Sequence, residues 1–267
     1  MKYTFLVPPS LGAARSQARA ELLTGSLGHE LGVTVDVQVA RDYDELAQKT
    51  YAREAELVWA PSAVLAQLDE ARVVLRAIRG GHGRYHSALV GRSDQRLTVG
   101  TLGGARAAWV DPLSAGGYLL PIAWLRSQGI EPNLVLKQQD FLGSHRAVID
   151  AVLDGHYDIC AVSTPSRDPK ALENALAFYA GGAAGKLAII GVSDAAPTDA
   201  LVITTKVDAD LAEMFAQRLV PSAGRRTPSF LLTAMEAERL ERTTLDEYRA
   251  LRTLLWGRRS ERPSTKR

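Results

Sequence analysis

The chain has 267 residues, 46% of them hydrophobic and 23% charged, enough to bury one large core or two lobes of ordinary size. Its 32 basic and 30 acidic residues leave a formal charge of +2, so no global field points to nucleic acid or to a membrane surface. No run approaches the ~18 apolar residues that a membrane helix needs, and a single cysteine excludes an intramolecular disulfide.

In chain order, Phe5-Leu6-Val7 reads as a strand, and Ala14 to Leu31 carries apolar positions at helical spacing. Met1-Lys2 leads straight into that strand, too short an apolar stretch for a signal peptide. The expected location is therefore cytoplasmic, or periplasmic if a leader has been removed. Val33 to Val39 alternates with period two, as a strand should. Asp42, with Glu45 three residues on, predicts a capped helix start. Leu57-Val58-Trp59-Ala60 is a short buried strand ended by Pro61, and a helix beginning at Ser62 leads to Val73-Ile78. Gly80-Gly81-His82-Gly83 is glycine-rich, but a strand follows it rather than a helix, which argues against a nucleotide-phosphate loop.

The middle of the chain repeats this grammar. Arg106 to Asp111 is a strand broken by Pro112; Ala115 to Ser127 is a helix capped by Gly129; Leu134-Val135-Leu136 is a strand; Ser144 to Leu153 is a helix. Ile159 to Val162 is a strand whose Cys160 is a core residue, and Asp168 to Tyr179 is a helix. Leu187-Ile190 and Ala200-Ile203 are strands, and three helical stretches follow. Strand-helix alternation at this spacing implies an α/β fold with mainly parallel sheets. No polar linker divides the chain. Tyr85–Arg92 and Leu187–Ile203 are expected to cross between two lobes: residues 1–88 with 190–257, and an inserted lobe of 89–189. Residues 258–267 form a basic tail.

The most informative stretch is Trp109-Val110-Asp111-Pro112-Leu113-Ser114-Ala115-Gly116-Gly117-Tyr118. A strand ends in Asp-Pro, and a turn of small residues opens a helix. The first amides of a helix lack partners and carry the positive end of its dipole, so such a turn suits an anion. Ser114 can cap the helix or turn its hydroxyl to a ligand.

Here the chain resembles the phosphate- and phosphonate-type substrate-binding proteins of ABC transporters, whose pattern reads Asp-Pro-x-Ser-Thr-Ser-Gly-Tyr. The likeness runs through Thr101-Leu102-Gly103-Gly104, Gly129-Ile130-Glu131-Pro132, Phe141-Leu142-Gly143-Ser144-His145 and Ala151-Val152-Leu153-Asp154-Gly155-His156-Tyr157-Asp158. Upstream, Asp42-Tyr43-Asp44-Glu45-Leu46 and Leu57 to Pro61 stand where the family has its first-lobe loops. The resemblance implies a two-lobed type II periplasmic-binding-protein fold that clamps a small oxyanion between its lobes. It implies Ser114, with Ala115 and Gly116, at the anion, and His145 contacting the same group. It also places Tyr85 near the hinge, Asp158 facing the cleft and Pro61 in a first-lobe loop; Arg146, where the family often has Asp, departs from the pattern and is a candidate further donor. The expected partners are a small phosphonate, phosphate-like or carboxylate anion and a transporter or signalling protein, with no cofactor and no metal. Where the family reads Ser-Thr-Ser, this chain has Ser114-Ala115-Gly116. Two hydrogen bonds at about 1 kcal/mol each are worth roughly one to two orders of magnitude in affinity, which favours a carboxylate or another oxyanion. A cytoplasmic enzyme on the same fold, acting on a carboxylate with His145 and Asp158 as acid and base, is a second reading. A sensor subunit is a third.

Overall fold

The computed structural model describes residues 2–9, 13–220 and 229–256; the basic tail of 258–267 lies outside them. The first sheet is built from β1 (Lys2–Val7), β2 (Thr34–Val39), β3 (Leu57–Ala60), β4 (Val73–Ile78), β11 (Ala200–Ile203) and β12 (Arg239–Thr243), in the order β12-β4-β11-β3-β1-β2. The second runs β10-β5-β8-β6-β7, from β10 (Ala196–Pro197), β5 (Arg84–Arg92), β8 (Ile159–Thr164), β6 (Arg106–Trp109) and β7 (Gln138–Phe141), with β9 (Leu187–Val192) also paired to β5. Two sheets, each flanked by helices, make two lobes.

Both sheets are mixed rather than mainly parallel. The strand-helix-strand units do pair in parallel, β1 with β2 and β3, and β6 with β7 and β8. The chain crosses between lobes twice, and the strands beside those crossings enter antiparallel: β11 against β3 and β4, and β5 against β8, β9 and β10. β5 and β9, within which the boundaries expected at 88/89 and 189/190 fall, pair entirely in the second sheet. The crossings are therefore the short segments 79–83 and 193–199.

Period-two alternation fills four apolar layers, one on each face of each sheet. In β1, Phe5 and Val7 join Leu23, Leu27 and Leu31 of α1 (Ala13–Leu31), while Leu6 faces the opposite layer with Val58 and Val202. In β8, Cys160 and Val162 face one layer, Ile159 and Ala161 the other. Cys160 is a free, fully buried thiol whose ionisation burial suppresses.

The remaining helices are α2 (Tyr43–Tyr51), α3 (Ser62–Leu65), α4 (Leu120–Ser127), α5 (Pro132–Val135), α6 (His145–Leu153), α7 (Pro169–Ala180), α8 (Ala209–Leu219), α9 (Ser229–Met235) and α10 (Ala250–Trp256). Asp42 caps α2 as expected, accepting from Glu45 N at 2.7 Å. Two expectations fail. Leu134-Val135-Leu136 is not a strand: Pro132 opens one helical turn there, and the strand lies at Gln138–Phe141. Three apolar residues carry no period, and Leu134 is 85% exposed. The second is β12, a charged edge strand whose only buried residue is Leu240, which left no apolar alternation to read.

The second lobe packs Trp124 of α4 over β9 at a position that tolerates no side chain. A Cβ on Gly191 would lie 2.0 Å from the Trp124 ring. Gly191→Ala should destabilise by about 1–3 kcal/mol through overpacking and lower Tm by roughly 2–10 °C. Gly185→Ala, with nothing within 4 Å of its Cβ, should melt like the parent. Equal melting curves for the two variants would contradict this packing.

Candidate functional site

The carboxyl ends of β1, β3, β6 and β8 all open on the space between the lobes, where ligands of open α/β sheets bind. A cavity of about 700 Å³ lies there. Pro8, Tyr43, Trp59, Pro61 and Ser62 line it from the first lobe; Ser114, His145, Ser163 and one face of α7 line it from the second. The first residues of α2, α3 and α6, the start of α7 and the segment opening at Ala115 all reach this cavity. Five helical segments therefore begin beside one space, α7 lying along it by one face.

The segment after β6 begins as a single π turn, Ala115–Leu119, that runs on into α4. Ser114 is its N-cap: its hydroxyl accepts from Gly117 N at 3.1 Å, and its carbonyl accepts from Leu119 N at 3.1 Å. The Asp-Pro turn is fixed by Asp111, whose side chain accepts from Leu113 N at 2.7 Å. Gly116 has to be glycine, because a Cβ there would come within 2.2 Å of Ser163 Oγ and 3.1 Å of the Tyr85 ring. Its carbonyl accepts from Ser87 Oγ at 2.5 Å. The Tyr85 hydroxyl sits against the Gly116 amide and Ser62; burial raises its ionisation to about 12, so it is a neutral group here.

His145 opens α6 behind the Ser144 cap, which accepts from Ala147 N at 3.2 Å. Its ring lies 4.9 Å from that of Tyr179, and its Nδ1 stands 3.3 Å from the carbonyl oxygen of Ala161. Burial pulls its protonation down to about 4, against a smaller opposing pull from that carbonyl, so the imidazole is neutral at neutral pH. Tyr179 is half-buried; desolvation raises its ionisation, and its hydroxyl faces Ser163.

At the crossings, Arg79 Nη1 and Nη2 donate to the two carboxylate oxygens of Asp199 at 2.6 and 3.1 Å. Trp59 Nε1 donates to the same carboxylate. Arg79 also donates to the carbonyls of Met235 at 2.5 Å and Glu236 at 3.0 Å. The guanidinium nearest the hinge is thus neutralised by its own partner.

Of the residues singled out from the sequence, Ser114, Ala115, Gly116, His145, Tyr85 and Pro61 line the cavity together. Asp158 and Arg146 do not. Asp158 stands at the opposite end of β8, where its carboxylate accepts from Arg106 N at 2.8 Å, Nε at 3.0 Å and Nη2 at 2.9 Å, and from Gln95 at 3.3 Å. Arg146, one residue round the helix from His145, points outward to Asp150 at 2.7 Å. The structure adds Tyr43, Trp59, Ser62, Arg79, Ser163, Tyr179 and Asp199 to the lining. Most stand at a strand's carboxyl end or a helix's first turn, a position legible in the sequence once each strand is placed.

The sequence matches, over residues 5–248, the family of periplasmic substrate-binding proteins of phosphonate ABC transporters. The chain belongs to that family. It is a small-molecule-binding protein of the phosphonate and phosphate kind, and the enzyme and sensor readings are not favoured. No curated protein matches the sequence. A binding-protein component of an ABC phosphonate transporter from Pseudomonas aeruginosa superposes with a TM-score of 0.80 at 17% identity, over 97% of this chain and 86% of that one. PhnD1 from Prochlorococcus marinus, solved with methylphosphonate, gives 0.79 at 18% identity, over 98% and 99%. A Xanthomonas citri protein bound to chloride gives 0.74 at 16%, over 97% and 98%. These likenesses establish the type II periplasmic-binding fold. The family is described as periplasmic, the second of the two locations left open by the sequence, and among the described residues no helix is long and apolar enough to cross a membrane.

Asp158 holds the binding protein's second lobe together rather than its ligand. Hydrogen bonds from Arg106 hold its carboxyl at about 2, below the ordinary carboxylate value. A depressed folded-state value means stability that is present above the unfolded carboxylate's titration and lost as pH falls through the folded one. Asp158→Asn should lower Tm at neutral pH and flatten its fall between about pH 4 and 2. An unchanged Tm profile over that range would show the pair to be inert.

Proposed function

We propose that this binding protein seats the anionic end of a small ligand on the amides of Ala115 and Gly116. Ser114, Tyr85 and His145 surround that seat, and Pro61 and Ser62 close it from the first lobe. The observation that carries this reading is the helix start in the cavity wall: Ser114 caps Gly117, among the described residues the Ala115 amide has no backbone partner, and the Gly116 amide donates to the Tyr85 hydroxyl, which an oxyanion would share or displace. Glycine at 116 brings backbone rather than side chain to the ligand.

The ligand class is a phosphonate, a phosphate-like group or a carboxylate. Methylphosphonate, bound by PhnD1 of Prochlorococcus marinus, is the first probe to use. Contact with both lobes favours a closed state in proportion to the ligand's differential affinity for it, with residues 79–83 and 193–199 as the hinge. The closed form is then the species a periplasmic transporter partner reads.

Ser114→Asp tests the seat. Asp caps a helix as well as Ser, and a negative charge is favourable at that end by about 0.3–1 kcal/mol, so the melting temperature should hold. An oxyanion would meet a fixed charge: at an effective dielectric near 20 the repulsion is about 4 kcal/mol at 4 Å, or roughly a thousandfold in affinity. Calorimetric titration with methylphosphonate beside a melting curve separates the two effects. Parent-like affinity in a normally folded Ser114→Asp protein would place the anion elsewhere.

A further inference from the structure

The carbonyl oxygen of Ala161 can only accept a hydrogen bond, so the hydrogen of His145 lies on Nδ1, the nitrogen 3.3 Å from it. A neutral imidazole carries one N–H, which leaves Nε2 a bare acceptor. Among the described residues Nε2 has no protein partner, and His145 lines the cavity beside the Ser114–Gly116 turn. We propose that the cleft takes its oxyanion in a singly protonated form, the ligand's own hydroxyl donating to Nε2 of His145. The proposal rests on the seat described above and narrows its ligand class.

The charges around His145 agree with this assignment. Tyr179 on α7, Tyr43 on α2 and Cys160 on β8 are all kept protonated by burial. Asp111, after β6, is an acid with partners of its own. On its own helix, Arg146 faces outward to Asp150. Arg79 is closed off by Asp199, and Lys170, at the exposed start of α7, pairs with Glu173. The helical segment that starts at the proposed seat, at Ala115, contributes about half a charge. It suits one negative charge, and among the described residues the lining's Arg79 and Lys170 are both ion-paired, with Asp199 and Glu173.

A hydrogen phosphonate or a monoprotonated phosphate ester meets both conditions, since its second ionisation lies near neutral pH. A fully ionised oxyanion would set lone pair against lone pair at Nε2. Sulfonates and simple carboxylates have no proton to offer there above mildly acidic pH.

Methylphosphonate and methanesulfonate, nearly the same in shape, separate the cases. Calorimetry near pH 8.5 in two buffers of different ionisation heat should show methylphosphonate binding with uptake approaching one proton per site, falling toward zero near pH 5.5. Methanesulfonate should bind roughly 10- to 100-fold more weakly, the cost of an unsatisfied acceptor. His145→Gln, whose amide can turn a donor to the ligand, should bring the two affinities together and remove the proton uptake. Nitrogen NMR of His145 in the unliganded protein should report hydrogen on Nδ1 alone. Equal binding of the two ligands without proton uptake, or hydrogen on Nε2, would overturn the proposal and leave the seat intact. Binding of neither ligand would overturn the seat, and this inference with it.

Discussion

The proposed site depends on one electrostatic arrangement: the cleft is lined by the starts of helices, and among the described residues its cations are ion-paired. β2, β3, β6, β7 and β8 each hand the chain to a helical segment that begins beside the cleft. Among the described residues the one guanidinium in the lining, Arg79, is held by Asp199, with Trp59 on the same carboxylate. A positive region made of backbone dipoles is rigid and cannot be titrated away. It is also modest at the proposed seat, where the one helical segment starting at Ala115 supplies close to half a charge.

The Arg79–Asp199 pair ties this electrostatics to the mechanics of the lobes. Arg79 follows β4 and Asp199 precedes β11, so the pair joins the two crossing segments. Thr198 adds to the tie, its hydroxyl donating to the Ala77 carbonyl at 2.6 Å and its amide to that of Gly83 at 3.1 Å. The Ala77 amide donates back to the Asp199 carbonyl at 3.0 Å. The crossings form one hydrogen-bonded ribbon rather than two independent tethers. Motion between lobes has to bend that ribbon as a unit, which favours discrete open and closed positions over a continuum.

Much of the fold was legible because the apolar periods are strong. Leu57–Ala60, Ile159–Val162 and Ala200–Ile203 are continuous buried runs, and they are strands as read. The Ser114–Gly116 turn was legible because its chemistry is local: a strand, a proline, small residues and a helix lie within one stretch of sequence. Arg79 and Asp199 were not, because their role exists only after two crossings bring positions 120 residues apart into contact. Asp158 was misplaced for a related reason. An acid beside a buried strand faces a cleft or a loop according to which end of the strand it occupies, and Asp158 is at the amino end of β8, bound to Arg106.

The two hydroxyls missing at Ala115 and Gly116 acquire a structural meaning in this setting. A side chain on residue 116 would strike Ser163 Oγ and crowd the Tyr85 ring, so the hydroxyls of Ser163 and Tyr85 occupy the neighbourhood that a longer residue at 116 would fill. Polar groups near the seat therefore come from β8 and β5 as well as from the helix turn. Hydroxyls on the turn move rigidly with α4. A hydroxyl on Tyr85 stands next to the hinge and against Ser62 of the opposite lobe, so its environment depends on how the lobes are set. On the reading proposed above, a ligand that engages Tyr85 and Ser62 together gains only when both lobes are in place.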